Sequence, residues 1–214
     1  MKLRDYNLFS RIMQLVLAGV LLFGVYLGNT KIIMNSLISL LITFAPALLE
    51  RRYDITLNPF LGLWITSAVF MHAVGAANFT ETNLYTSIWW WDHFTHTLSS
   101  SVVAAVGYTS FRVLDEHSGE IHVPKKMMFV FILVFVMAFG VIWELLEFGL
   151  AQLADILGGE PILTQYGLED TMKDLVFDTV GGLLVALLGE AHLNDTVEQI
   201  KIKLEDETGI ELLK

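Results

Sequence analysis

Acidic residues and one histidine stand at helical spacing inside otherwise apolar segments of this chain. Asp92 and His96 are four residues apart, and Glu144 and Glu147 are three apart. Further along, aspartates recur at every fourth position, at Asp170, Asp174 and Asp178. Residues at these spacings share one face of a helix. Carboxylate oxygens and imidazole nitrogens together suit zinc, manganese or iron, and such an ion can activate a water for hydrolysis. The spacing therefore indicates metal chemistry.

The composition places these residues in a membrane. The chain is 54% hydrophobic and 17% charged, whereas soluble domains average roughly 25% charge. Several apolar stretches reach the roughly 20 residues that a helix needs to cross a bilayer. We predict an all-α, multi-pass bundle over residues 1–189. Its six spans are expected at about 8–27, 32–49, 59–77, 92–111, 127–153 and 174–188.

Residues 190–214 are expected to form a cytoplasmic amphipathic tail. Apolar residues recur within this polar segment at Val197, Ile200 and Leu204, and less regularly at Ile210, Leu212 and Leu213. Such a helix lies on a membrane surface or packs on a partner. A solvated tail without such contacts is the alternative.

The basic residues predict the orientation. With both termini in the cytoplasm, 11 of the 13 lysines and arginines lie inside, and only Lys31 and Lys173 lie outside, as expected for a cell-membrane protein. The tryptophans at 89–91 then fall at the outer interface, which indole rings favour. In the same topology the polar residues of the last four spans meet near the outer leaflet.

These acids lack basic partners. A carboxylate inside a span costs several kcal/mol and should face the bundle interior with a partner, yet we expect no lysine or arginine at that depth except Lys173 at its edge. Protonation or a bound cation must compensate, and His96 favours one or two divalent ions of Zn, Mn or Fe. The predicted ligands are Asp92, His96, Glu144, Asp174 and Asp178, with Glu147 as general base or further ligand.

Neighbouring polar residues are predicted to support the ligands or to contact substrate: His72, His93, Ser99 and Asp170. Small residues beside the predicted ligands, including Gly140, Gly181 and Gly182, should let the helices approach closely. Several of these residues also have a purely structural interpretation. Asp92 is a possible helix cap, His72 a packing residue, and Glu147 and Asp170 wetted residues near the surface.

Other features exclude several classes of protein. The chain has no cysteine, which rules out disulfides, thiolate metal sites and iron–sulfur clusters. Its net charge of −10 disfavours nucleic acid as a partner. Neither a phosphate-binding loop, nor a nucleophile elbow, nor an H-E-x-x-H zinc motif occurs in it.

The polar motifs resemble a known family. An acid four residues before a histidine at the start of a span, a later "ELLE" run, and "DLVFD" shortly before a glycine resemble the uncharacterised inner-membrane family typified by bacterial YjdF. The chain is more loosely similar to the VanZ-like proteins. The resemblance covers about residues 89–189, carries the six positions Asp92, His96, Glu144, Glu147, Asp174 and Asp178, and adds Thr164 and Gln165 from "LTQYGLEDTMKD". It implies a polytopic fold with these residues facing inward, and no activity.

Four functions fit these features. The first is a metal-dependent hydrolase that acts on a lipid or lipid-linked substrate. The second is a proton- or cation-coupled transporter that uses the same acids. A haem protein with His72 and His96 as axial ligands is the third, and a purely structural role for the polar residues is the fourth.

Overall fold

Helices form nearly all of the protein in this computed structural model, which describes residues 3–78, 82–117 and 122–208. They are α1 (Leu3–Leu27), α2 (Thr30–Ile42), α3 (Ala45–Tyr53), α4 (Pro59–Ala76), α5 (Leu84–Ser87), α6 (Trp91–His117), α7 (Lys125–Leu157) and α8 (Leu168–Thr208). No β-strand occurs in these three described segments. The predicted all-α class is confirmed.

The predicted multi-pass architecture is confirmed as well. Among the described residues, five candidate spans fall on α1, on α2 with α3, and on α4, α7 and α8. The predicted fourth span corresponds to α6, which at 27 residues is about 40 Å long but is not apolar enough to qualify by composition. Because α6 packs along α8 and also contacts α4 and α7, we treat it as the sixth span.

Pro46 divides the second predicted span into two helices. α2 ends at Ile42, and α3 begins at Ala45 with Pro46 in its first turn. Proline has no N–H to donate to the preceding turn, so it is tolerated at a helix start but not in a helix interior. The segment Thr30–Tyr53 still reads as one span by length and hydropathy.

Small residues bring α6 and α8 into close contact, as predicted. A β-carbon at Gly181 of α8 would overlap Ser100 Oγ and the Thr97 carbonyl oxygen of α6. Below this crossing, Ala104 and Tyr108 of α6 pack into a core that includes Val185 of α8. The α6–α8 pair therefore forms the centre of the bundle. The polar residues near the N-terminal ends of these two helices, here called the upper end, lie next to this packed core.

The described part of the predicted tail continues α8 without a break as far as Thr208. Leu193 and Val197 are buried in the same core as Ala104, and Ile200 and Leu204 pack against it. Ile210, Leu212 and Leu213 lie outside the described residues. The division at residue 190 stays a prediction.

Candidate metal centre

Asp92 and His96 project from the first two turns of α6 toward the bundle interior. The distance from Asp92 Oδ1 to His96 Nε2 is 3.6 Å, as expected for residues one helical turn apart. The upper end of α6 therefore contributes one carboxylate and one imidazole to the same point.

Two carboxylates of α8 flank the His96 ring. Asp174 Oδ1 lies 3.8 Å from Nε2, whereas Asp178 Oδ1 lies 3.2 Å from Nδ1, at hydrogen-bond distance. One turn of α8 separates the two aspartates, so the ring fits between them. Neutral histidine carries a single N–H. When Nδ1–H donates to Asp178, Nε2 presents a lone pair to the oxygens of Asp92 and Asp174.

These three facing atoms form a candidate ligand set for one metal ion. One atom each from Asp92, His96 and Asp174 lies within 4.8 Å of the other two. Two ligands at about 2.1 Å from a zinc ion lie at most about 4.2 Å apart, and the two distances to Nε2 already satisfy this limit. Asp174 is only 2% exposed, and its Oδ1 has no hydrogen-bond partner among the described residues. A buried carboxylate in this state needs a proton or a cation.

Glu144 of α7 lies outside this set of three. Its side chain is buried, with Oε2 accepting a hydrogen bond from Thr171 Oγ1 at 2.7 Å. Gln165 Nε2 donates in turn to Thr171 Oγ1 at 3.0 Å. Glu144 Oε1 has no hydrogen-bond partner within the described chain. Gln165 is therefore connected to a predicted ligand through one threonine.

Glu147 and Asp170 face a small cavity, here called the polar cavity, whose wall includes Asp92, His96 and Asp174. Its volume of about 30 Å³ is enough for one or two waters. Trp143 Nε1 donates a hydrogen bond to Glu147 Oε1 at 3.0 Å, which fixes one carboxylate oxygen. Glu147 therefore shares a solvent-sized space with the ligand set.

His72 of α4 also lines the polar cavity, and both of its ring nitrogens are engaged. Nε2 lies 3.0 Å from Asn35 Oδ1, and Nδ1 lies 3.0 Å from the Tyr85 hydroxyl. The Asn35 amide nitrogen donates to two backbone carbonyls, so its oxygen must accept from His72. Burial raises the pKa of Tyr85 well above its usual value, which keeps that hydroxyl a donor. Both ring nitrogens of His72 are thus held by hydrogen-bond partners, as expected for a packing residue.

The segment between α7 and α8 covers the polar cavity. Thr164 Oγ1 accepts from Lys31 Nζ at 2.9 Å, and the Ile162 carbonyl accepts from Asn35 Nδ2 at 2.9 Å. Tyr166 accepts from Asn83 Nδ2 at 2.8 Å, and burial raises the pKa of the Tyr166 phenol. The family resemblance implied a role for Thr164 in this segment but not these partners.

The expectation that only Lys173 would approach the acids was wrong. Lys31 lines the polar cavity, whereas Lys173 forms an exposed ion pair with Glu169 at 2.7 Å. α2 follows α1 after a short turn, and this turn sets Lys31 beneath the covering segment. The lining still contains four carboxylates, those of Asp92, Glu147, Asp170 and Asp174.

Two predicted supporting residues lie away from the ligand set. The His93 ring stacks on Phe177 with 4.3 Å between centroids, and its Nδ1 has no hydrogen-bond partner in the part of the chain described. Ser99 lies on the wall of a larger, apolar cavity below the cluster. The structure thus brings Asp92, His96, Asp174 and Asp178 together and leaves these two at the margins.

Comparison with known proteins supports the membrane assignment. Residues 9–195 match the family described as "Predicted membrane protein (DUF2238)". A protein of Thermotoga maritima, named an uncharacterized protein, is 31% identical over 140 residues, which are 64% of this chain and 66%, just under two thirds, of that protein. No solved structure matches the chain. The resemblance to an uncharacterised membrane family is confirmed.

Proposed function

The chain belongs to the DUF2238 family of predicted membrane proteins, and from the geometry of its polar cluster we propose that it is a metal-dependent hydrolase of lipids or lipid-linked molecules. Asp92, His96 and Asp174 bind one divalent ion in this proposal. Oxygen and imidazole ligands suit zinc, manganese or iron. The ion supplies Lewis acidity and lowers the pKa of a bound water.

One observation carries the proposal. The buried, unpaired Oδ1 of Asp174 faces the same imidazole nitrogen as Asp92 Oδ1. Three electron-rich atoms in one place repel each other unless a positive species lies between them. A second proton on His96 or a proton on one of the two carboxylates is the competing explanation, and the metal content of the protein distinguishes a bound ion from a proton.

The remaining polar residues take supporting parts. Asp178 accepts from His96 Nδ1, the arrangement that orients metal-bound histidines and raises their basicity. Asp178 therefore acts through the ring in this proposal, in place of the direct ligand that the sequence predicted. Glu147 acts as general base, because it shares the polar cavity with the ligand set and its second oxygen is free of Trp143. Glu144 is not required as a ligand for a single ion.

The metal content of purified protein tests the proposal. After expression in metal-replete medium, the wild type should retain close to one transition-metal ion per chain. Asp174→Asn should lose it, whereas Asp195→Asn, the same change at an exposed site of α8, should keep it. A wild type without bound metal refutes the proposal, and proton-linked uptake by such metal-free protein would favour coupled transport.

We further propose that the protein lies in the cell membrane with both termini in the cytoplasm and the metal centre near the outer leaflet. The asymmetric distribution of lysine and arginine supports this orientation. The chain has no native cysteine, so single cysteines can be labelled without background. At exposed positions, Glu160→Cys should react with an impermeant maleimide in intact cells and Arg52→Cys only after lysis. The reverse pattern would refute the orientation.

A further inference from the structure

We propose that the apolar cavity between α2, α4, α6 and α7 holds one hydrocarbon chain of a membrane lipid, which enters sideways between α2 and α7. Its volume is about 610 Å³, within the roughly 300–1,000 Å³ typical of small-molecule sites. Binding of the hydrocarbon chain is inferred from this cavity alone. The further step, that the bound lipid is the substrate, rests on the proposed function.

The chemistry of the wall favours a hydrocarbon. Aliphatic and aromatic side chains from all four helices make up most of it, among them Ile38, Ile42, Val69, Val103 and Phe139. A flexible acyl chain fits such a space, whereas a membrane-spanning helix of a partner protein, about 30 Å long and about 10 Å across with its side chains, needs several times the volume of about 610 Å³. We therefore assign the cavity to a single chain.

The cavity is open on the side that faces lipid. α2 packs on α1 and α4, and α7 packs on α6 and α8, while α2 and α7 have little direct contact among the described residues. Ile38 on α2 and Phe139 on α7 line the cavity and are also 48% and 47% exposed. Both lie within candidate spans. A side chain in a span that is reachable from outside and also lines the interior marks an entrance from the bilayer.

The upper end of the cavity reaches the polar cluster. His72, His96, Ile162 and Leu163 line both the apolar and the polar cavity, and Asp178 lines the apolar one. A chain seated among the aliphatic residues thus places its head group beside the imidazole and carboxylates. Because a chain gains little by leaving lipid for another apolar medium, the head group must supply the selectivity.

Photochemical labelling tests this inference. The full-length protein is reconstituted in phosphatidylethanolamine and phosphatidylglycerol vesicles that contain a phosphatidylglycerol with a diazirine in the middle of one acyl chain. After irradiation, adducts are mapped by peptide mass spectrometry. We expect adducts on inward-facing residues such as Val69 and Val103, besides those on lipid-facing residues. Adducts confined to lipid-facing residues would overturn the inference.

Two variants of α6 sharpen the test. Val103→Trp fills the cavity and should abolish the interior adducts, whereas Val106→Trp, at a site that is 59% exposed and outside the lining, should leave them unchanged. Val69→Phe narrows the cavity from α4 and serves if Val103→Trp does not fold. Interior adducts that persist in a folded, filled variant would refute the assignment.

The metal and the chain can be separated experimentally. In Asp174→Asn the interior adducts should remain although the metal is lost, because Asp174 does not line the apolar cavity. Wild type that retains metal but gives no interior adducts would refute the lipid site and leave the proposed function standing. Interior adducts in a wild type that retains no metal would refute the proposed function and leave the lipid site standing.

Discussion

Gly140 of α7 leaves the space that the Asp178 carboxylate occupies. A β-carbon at this position would lie 2.6 Å from Asp178 Oδ2 and 3.1 Å from Leu175 Cδ2. Ordinary contacts begin at 3.4 Å, so Gly140→Ala must displace the carboxylate by roughly 0.8 Å, the difference between 3.4 and 2.6 Å. A shift of that size can stretch the 3.2 Å contact to His96 Nδ1 beyond hydrogen-bond range.

The expected consequence is weaker metal binding. Loss of the group that orients a metal-bound histidine typically lowers metal affinity about 10–100-fold, or about 1.4–2.8 kcal/mol. The assay is a zinc competition titration of detergent-purified protein against a chromogenic chelator. Gly149→Ala is the control, since it makes the same change in the same helix with no atom within 4 Å of the new β-carbon.

Two results would refute this reasoning. An unchanged zinc affinity in folded Gly140→Ala would mean that Asp178 does not orient His96 for the ion. An equal loss in Gly149→Ala would attribute the effect to α7 in general and not to the carboxylate. Circular dichroism of both variants establishes that the helices are intact before the affinities are compared.

Three further predictions follow from the same geometry. Glu147→Gln keeps an oxygen that can accept from Trp143 Nε1 but removes the general base. The rate of hydrolysis of a panel of phospholipids should therefore fall about 10²–10⁴-fold while the metal content stays unchanged. An unchanged rate would exclude Glu147 as the base. Removal of metal by a chelator should lower the thermal unfolding temperature of the wild type, because an ion at 100 times its dissociation constant stabilises the folded protein by about 2.7 kcal/mol. The unfolding temperature of Asp174→Asn should not change. Equal changes in both proteins would contradict the proposed metal site. Gly181→Ala inserts a methyl group against Ser100 and the α6 backbone and should destabilise the protein by about 1–3 kcal/mol in a denaturant or thermal titration; wild-type stability would show that α6 and α8 can separate at no cost.

Helical periodicity made the core of the site predictable. Asp92 and His96 share a face of α6, and Asp174 and Asp178 share a face of α8, because residues four apart always do. The topology predicted from the basic residues placed these two faces at one depth. Their meeting around one imidazole therefore required only that the two helices pack, which the small residues at Gly181 and Gly182 also indicated.

The contributions of α2 were not predictable in the same way. Lys31 and Asn35 reach the segment before α8 across sequence separations of 133 and 127 residues. No local pattern encodes such a contact, because it depends on where the covering segment folds back. Ring orientation was likewise beyond spacing arguments. Either nitrogen of the His96 ring could have faced Asp178. The ring orientation decides whether Asp178 orients the histidine or binds the ion directly, and the spacing of the residues does not determine it.

α6 is hard to recognise as a membrane span because it carries the polar residues of the candidate site. Its threonines, serines and histidines lower its mean hydropathy, yet Thr95, Ser100 and Ser101 are buried. Ser101 Oγ accepts a hydrogen bond from Trp64 Nε1 of α4 at 2.9 Å. Polar groups of this kind are tolerated at membrane depth when other helices, and not lipid, surround them. α4, α7 and α8 surround α6 in this way. A helix that carries a buried polar site must differ from lipid-facing helices in composition, so its low hydropathy follows from its central position and does not contradict it.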